Sequence, residues 1–193
     1  NEPAAQTITA TVAALENPYS IENQPARTSA YPVLYNMLVA PLTAIFGNTL
    51  QLHRLVTGAF IIAACVLVFF ATLRVSHSTR DSLAASILLY AGLLFYATPI
   101  ASPSSLGLFL FLSSLFVPWY YGFSNRSLGV ALVLGLLAFF GKQYFVASLG
   151  YIALFLFLSV SKIKGAVFGL LSLAAFAACF AVAHRVAPYF LDI

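Results

Sequence analysis

From Ser82 to Leu191 the chain contains no acidic residue, and apolar side chains follow one another there in blocks long enough to enter a lipid bilayer. Such a chain cannot hide its apolar groups inside one water-soluble core. Ordinary soluble domains carry roughly a quarter charged residues; here Asp, Glu, Lys and Arg make up 7%, hydrophobic residues make up 62%, and the mean hydropathy is +0.97. A water-soluble enzyme is excluded, and lipid is the expected solvent.

The five acids are unevenly placed: Glu2, Glu16 and Glu22 lie near the start, and only Asp81 and Asp192 follow. Nine Lys and Arg give a net charge of +4. In a soluble protein that excess would point to nucleic acid, but here the cations stand singly between apolar runs, as in membrane loops. No nucleic-acid partner is expected. Cys65 and Cys179 each sit within an apolar run and read as small buried hydrophobes, with no disulfide and no metal site predicted.

A hydrocarbon core about 30 Å thick needs about 20 apolar residues of helix. Segments of that kind run from Leu55 to Leu73, Leu83 to Ile100, Leu106 to Tyr121 and Ala166 to Ala183, and a longer one from Leu128 to Val160. One straight helix over that last stretch would be about 50 Å long. It therefore divides into Leu128–Phe140 and Tyr144–Val160, and about six transmembrane segments are predicted. The fold class is all-α and polytopic.

Arg74 and Arg80, Arg126, and Lys162 with Lys164 fall in alternate connections, while Thr98–Ser105 carries no charge. Positive loops face the cytoplasm. Residues 1–53, the Ser102–Ser105 turn, the Gly141–Gln143 break and the tail from Arg185 then share the extracytoplasmic side, with Arg27, Lys142 and Arg185 as its exceptions.

Residues 1–53 read as an extracytoplasmic loop carrying two short interfacial helices, and residues 54–193 as the helical bundle. Asn1 suits an N-cap and Pro3 a first turn; Ile8, Val12 and Leu15 recur at helical spacing over Ala4–Leu15, and Asn17-Pro18 stops the helix. Pro32–Phe46 is apolar but interrupted by Pro41, and spans only about 22 Å. Between them Tyr19–Tyr31 reads as irregular loop. No internal repeat is evident.

Acid–base chemistry needs a carboxylate or His, and few are available. Asp81 follows Arg80 as a solvated or helix-starting residue, and Asp192 ends the chain. The extracytoplasmic acids remain, of which Glu2 is either a reacting carboxylate or a first-turn acid facing the helix dipole. Lys142 lies between two apolar segments, each short for a bilayer. A cation at that depth is costly and usually lines a cavity or binds something, unless it snorkels to the interface. Gly141, Gln143 and Tyr144 beside it supply a flexible turn, an amide and a phenol, suited to an anion with sugar or phosphate oxygens. At the entrance of the first segment stands His53-Arg54, where the Arg either pairs with phosphate or anchors the helix end. Tyr31, Tyr35, Trp119 and Tyr120 read as interface aromatics or, less commonly, sugar platforms.

Taken in order, Asn1-Glu2, Asn17-Pro18-Tyr19, Tyr31-Pro32-Val33-Leu34-Tyr35, Phe46-Gly47-Asn48, His53-Arg54-Leu55 and Phe139-Phe140-Gly141-Lys142-Gln143-Tyr144 make a chain that resembles the GT-C superfamily of integral-membrane glycosyltransferases. The likeness is to the protein mannosyltransferase and aminoarabinose transferase branch. It implies an inner-membrane enzyme whose extracytoplasmic site takes a sugar from a polyprenyl-phosphate-linked donor and passes it to a protein, lipid or glycan acceptor. It further implies a catalytic Glu2, substrate contacts from Lys142, Gln143, Tyr144, Arg54, His53, Arg27, Tyr31 and Tyr35, one membrane helix before Asn1 and several after Ile193. Relatives differ in using a divalent cation. Asn1 stands where many members have Asp, Ser102-Pro103-Ser104 where Arg-Pro-Asp is common, and Gly141 where Thr often precedes Lys-Gln. Two other classes fit a polytopic chain: a transporter with a discontinuous helix at Gly141-Lys142, and a non-catalytic assembly subunit.

Overall fold

The computed structural model describes residues 2–20, 33–97 and 103–186, and only the backbone of residues 2, 3, 96, 97 and 186. Among the described residues every regular element is helical. The α-helices are α1 (Glu2–Ala13), α2 (Leu34–Phe46), α3 (Leu50–Ser76), α4 (Thr79–Ala97), α5 (Pro103–Tyr120), α6 (Asn125–Gly141), α7 (Ala147–Phe155) and α8 (Lys162–Val186). A 3₁₀ turn at Gln143–Val146 leads into α7, and a π-helical turn at Leu156–Val160 ends it. Within the described residues, the six apolar segments fall almost wholly on helix. Among the described residues, four stretches are long and apolar enough to cross a bilayer: Leu50–Ser76, Pro103–Tyr120, Gln143–Val160 and Lys162–Arg185.

Lipid is the natural solvent for these helices, because they keep large apolar side chains on their outer surfaces. Leu88, Phe95, Leu158, Ile163 and Leu170 are all more than two-thirds exposed, on a scale a water-soluble monomer does not tolerate. A helix apolar all round is either deeply buried or in a membrane. These are not buried.

Residue pairs fix the directions of the helices. Phe60 meets Phe109 at 5.8 Å between ring centroids, and Arg74 reaches Trp119 and Tyr120, so α3 and α5 run parallel. The helix that follows α3 in the chain, α4, returns along it, held by the Ser86 hydroxyl donating to the Cys65 carbonyl at 2.9 Å. The helices α5 and α6 cross closely and antiparallel. A Cβ on Gly141 would stand 2.9 Å from the Gly107 Cα and 3.1 Å from its nitrogen. Only glycine allows that approach, and in lipid such close packing replaces the hydrophobic effect as the force joining helices. Gly165 plays the same part where α8 folds back, since its Cβ would fall 2.4 Å from the Phe157 nitrogen in the π turn.

The bundle therefore has two ends. One gathers the starts of α3 and α5 and the end of α6, and it is covered by α1 and α2. Tyr35 and Val39 of α2 share a core with Leu52, Leu106, Leu110 and Ala138. At the other end Leu128, Ala131, Leu149, Ile152, Leu156 and Phe168 join α6, α7 and α8.

Local structure departs from expectation in a few places. The first helix runs Glu2–Ala13, not Ala4–Leu15; Asn1, the expected N-cap, lies outside the described residues. Pro41 does not interrupt α2. Proline removes one backbone donor and crowds the preceding turn, but the packing of Tyr35 and Val39 before it and of Leu42 after it holds the helix. The expected loop Tyr19–Tyr31 lies largely outside the described residues, as do Ala101 and Ser102. Pro103 already begins α5, so residues 103–105 of the predicted Ser102–Ser105 turn are helical instead.

Candidate functional site

The stretch Phe46-Gly47-Asn48 turns the chain from α2 into α3. Gly47 has φ 74° and ψ 157°, a conformation that residues with a Cβ scarcely adopt. Thr49 then caps α3, its side chain accepting from the Leu52 N–H at 3.3 Å. This corner places Asn48 between α1 and α3.

Asn48 donates from Nδ2 to the Gln6 carbonyl at 2.9 Å, and Gln6 Nε2 donates back to the Asn48 carbonyl at 3.2 Å. With its amide so oriented, Asn48 presents Oδ1 to His53 Nε2 at 3.0 Å. An amide oxygen only accepts, so Nε2 carries an imidazole hydrogen. The Tyr35 hydroxyl lies 3.4 Å from Nδ1 and 3.3 Å from Thr57 Oγ1, and donates to the His53 carbonyl at 2.9 Å. Asn36 completes the network by donating to the Ala5 carbonyl at 3.1 Å and to Thr9 Oγ1 at 2.9 Å. Buried polar groups joined in this way fix one arrangement, because breaking any pair strands its partner. Burial pushes the Tyr35 hydroxyl above its ordinary pKa, opposed by its hydrogen bond with Thr57. Tyr19, also buried, is raised for the same reason, against an opposing backbone hydrogen bond with Val33.

Lys142 ends α6 in extended conformation, with φ −162° and ψ 132°. Its backbone N–H still closes the helix on the Ala138 carbonyl, and its own carbonyl accepts from Phe145, starting the 3₁₀ turn. The ammonium donates to Ser104 Oγ at 2.9 Å and lies 5.2 Å from the Tyr144 ring centroid. The predicted break is thus a real discontinuity between α6 and α7, with a half-buried cation in it.

The predicted site residues fall into separate groups. Tyr35 and His53 meet, with ring centroids 5.9 Å apart, but both are fully enclosed and bonded into the α1–α2–α3 frame. That geometry makes them scaffold, a role the aromatic-belt expectation for Tyr35 did not include. Lys142 and Tyr144 form the second group, with Gln143 and Tyr144 exposed. Leu106 and Ala138 lie between the groups, within the core shared with Tyr35. Arg54, next to His53, is exposed. Glu2 is the first residue of α1, and its side chain lies outside the described residues, as do Arg27, Tyr31 and Glu22. Another acid, Glu16, lines an open groove of mixed polarity, about 470 Å³, along α1, together with Gln6, Thr7, Thr11 and Asn48. Sequence reasoning grouped Glu16 with the amino-terminal acids but missed Asn48 and Ser104. Among the described residues no cluster of His, Cys, Asp and Glu fit to hold a metal ion occurs.

No protein-family model matches the chain, and neither the curated proteins nor the solved structures compared with it include a match.

Proposed function

We propose that this chain belongs to a membrane glycosyltransferase of the GT-C kind, acting on a sugar carried by a polyprenyl phosphate at the extracytoplasmic face of the inner membrane. In this proposal all six apolar segments cross the bilayer, and α1 and α2 lie along its outer surface. The observation that carries it is Lys142: a cation held in a helix break, donating to Ser104, at the end of the bundle covered by α1 and α2. An intramembrane cation in irregular backbone is most simply explained by an anion that it binds.

The chemistry follows from the donor. Glu2 takes the proton of the acceptor hydroxyl, the acceptor oxygen bonds to the anomeric carbon, and the bond from that carbon to the phosphate oxygen breaks. The departing polyprenyl phosphate carries negative charge, which Lys142, with Arg54 or Arg27, stabilises. Tyr144 and Gln143 border the same anion. The acceptor is a glycan, lipid or protein.

Replacing Lys142 with Ala, in protein that still folds, should abolish release of polyprenyl phosphate from a sugar-loaded donor. Full activity in Lys142→Ala would reject the assignment. The discontinuity after Gly141 also favours a second reading, a transporter with a broken helix around its substrate. Solute flux without bond cleavage would support that one instead.

A further inference from the structure

The end of the bundle remote from α1 and α2 carries a second arrangement of cations over apolar clefts. Trp119, the sole tryptophan of the chain, stands between two grooves. One, of about 240 Å³, lies between α3 and α5 and is lined by Leu67, Val68, Ala71, Leu112, Leu115 and Trp119. The other, of about 340 Å³, lies between α5 and α7, lined by Leu115, Trp119, Phe123, Tyr151, Ile152 and Phe155. Their surfaces are almost wholly apolar, and they share Leu115 and Trp119.

Each groove has a cation at its end. Arg74, one turn beyond Ala71 on α3, places its guanidinium carbon 4.3 Å from the Tyr120 ring centroid and 5.6 Å from that of Trp119. A guanidinium held by its face keeps N–H groups in its plane suited to a phosphate. Lys164, in the first turn of α8, donates from Nζ to the Phe123 carbonyl, and Phe123 is a wall of the second groove. The only acid between Glu22 and Asp192 is Asp81, so the local charge is strongly positive.

We propose that this end binds an anionic phospholipid of the surrounding bilayer, with an acyl chain on each side of Trp119 and its phosphate attracted to Arg74 and Lys164. Paired chain-sized grooves around one ring, ending in cations, match a two-chained anionic lipid. A zwitterionic lipid has the chains but no net charge to meet the cations. A basic pocket between membrane helices is the usual place for such a headgroup. The proposal depends on the chain being a membrane protein, and not on sugar transfer.

Trp119 supplies the assay. The full chain, in detergent micelles, is titrated with phosphatidylglycerol or phosphatidylcholine, each brominated on its acyl chains, and quenching of Trp119 fluorescence is followed. Phosphatidylglycerol should quench at a several-fold lower mole fraction. Arg74→Gln and Lys164→Gln should each reduce that preference, by up to about fivefold per charge lost, while Arg126→Gln, at the same end but lining neither groove, retains it. Equal quenching by the two lipids overturns the proposal, as does equal loss in Arg126→Gln, which would indicate diffuse attraction. Quenching by neither lipid overturns it as well. If Arg74→Gln fails to fold, Lys164→Gln and the wild-type comparison still decide.

Discussion

Substituting Gly141 with Ala tests the helix crossing that positions Lys142. The added methyl would sit 2.9 Å from the Gly107 Cα and 3.1 Å from its nitrogen, against about 3.5 to 4.0 Å for comfortable contact between heavy atoms. Both obstacles are backbone, so no rotamer change relieves them, and α5 and α6 must part by about 0.6 Å or more. Overpacking of this kind costs about 1–3 kcal/mol, and the better helix propensity of Ala returns up to about 1 kcal/mol. Gly129→Ala, on the same helix, isolates the propensity term, since a Cβ there meets nothing within 4 Å. Reversible unfolding in mixed micelles should show Gly129→Ala unchanged or stabilised and Gly141→Ala less stable than it by about 1–3 kcal/mol. Equal stability of the two variants would mean that the helices do not approach at Gly107, and the placement of Lys142 against Ser104 would lose its basis.

Asn48→Ala strands the buried His53 Nε2 and removes the bond to the Gln6 carbonyl, so thermal stability should fall by about 1–3 kcal/mol and α1 should become more accessible to protease. Unchanged accessibility would deny that Asn48 latches α1. Alkaline pH should act through Tyr19, whose folded pKa is raised above the ordinary 10.0. A raised pKa contributes stability that is complete below the unfolded value and is lost as pH rises through the folded one. Wild-type stability should therefore decline from about pH 10 upward, with a shallower decline in Tyr19→Phe; parallel curves would exclude Tyr19 as the cause. The loss of polyprenyl phosphate release in Lys142→Ala and the preference of Trp119 for brominated phosphatidylglycerol complete the set.

The helices were legible because lipid imposes a length and apolar requirement that composition cannot disguise. The division at Gly141-Lys142 followed from the same arithmetic, since one helix through it would be too long for the membrane. Distances between helices were not legible. Gly107 and Gly129 are alike in sequence, each set among apolar residues, yet one meets Phe145 and the other meets nothing within 4 Å. The packing of the 3₁₀ turn after α6 against α5 distinguishes them. Pro41 misled for a related reason: its local cost was visible, and the core that overcomes it was not.

At the candidate site, adjacency in sequence was the poorer guide and helical spacing the better one. His53 and Arg54 are neighbours and were read together as groups at a helix entrance, but successive residues on a helix point about 100° apart. His53 consequently turns into the core and Arg54 faces outward. The informative signal lay four and eight residues on, where Thr57 and Ile61 are also almost fully buried, forming a stripe with His53. A lone Thr one turn beyond a His, in an otherwise apolar span, marks a polar cluster that needs partners. Those partners, Tyr35 and Asn48, come from the stretch 33–49, which the sequence showed only as an apolar helix and a short motif after it. The amino-terminal helix is thus tied to the bundle by hydrogen bonds, and any acid it carries inherits its position from Asn48, Asn36 and His53.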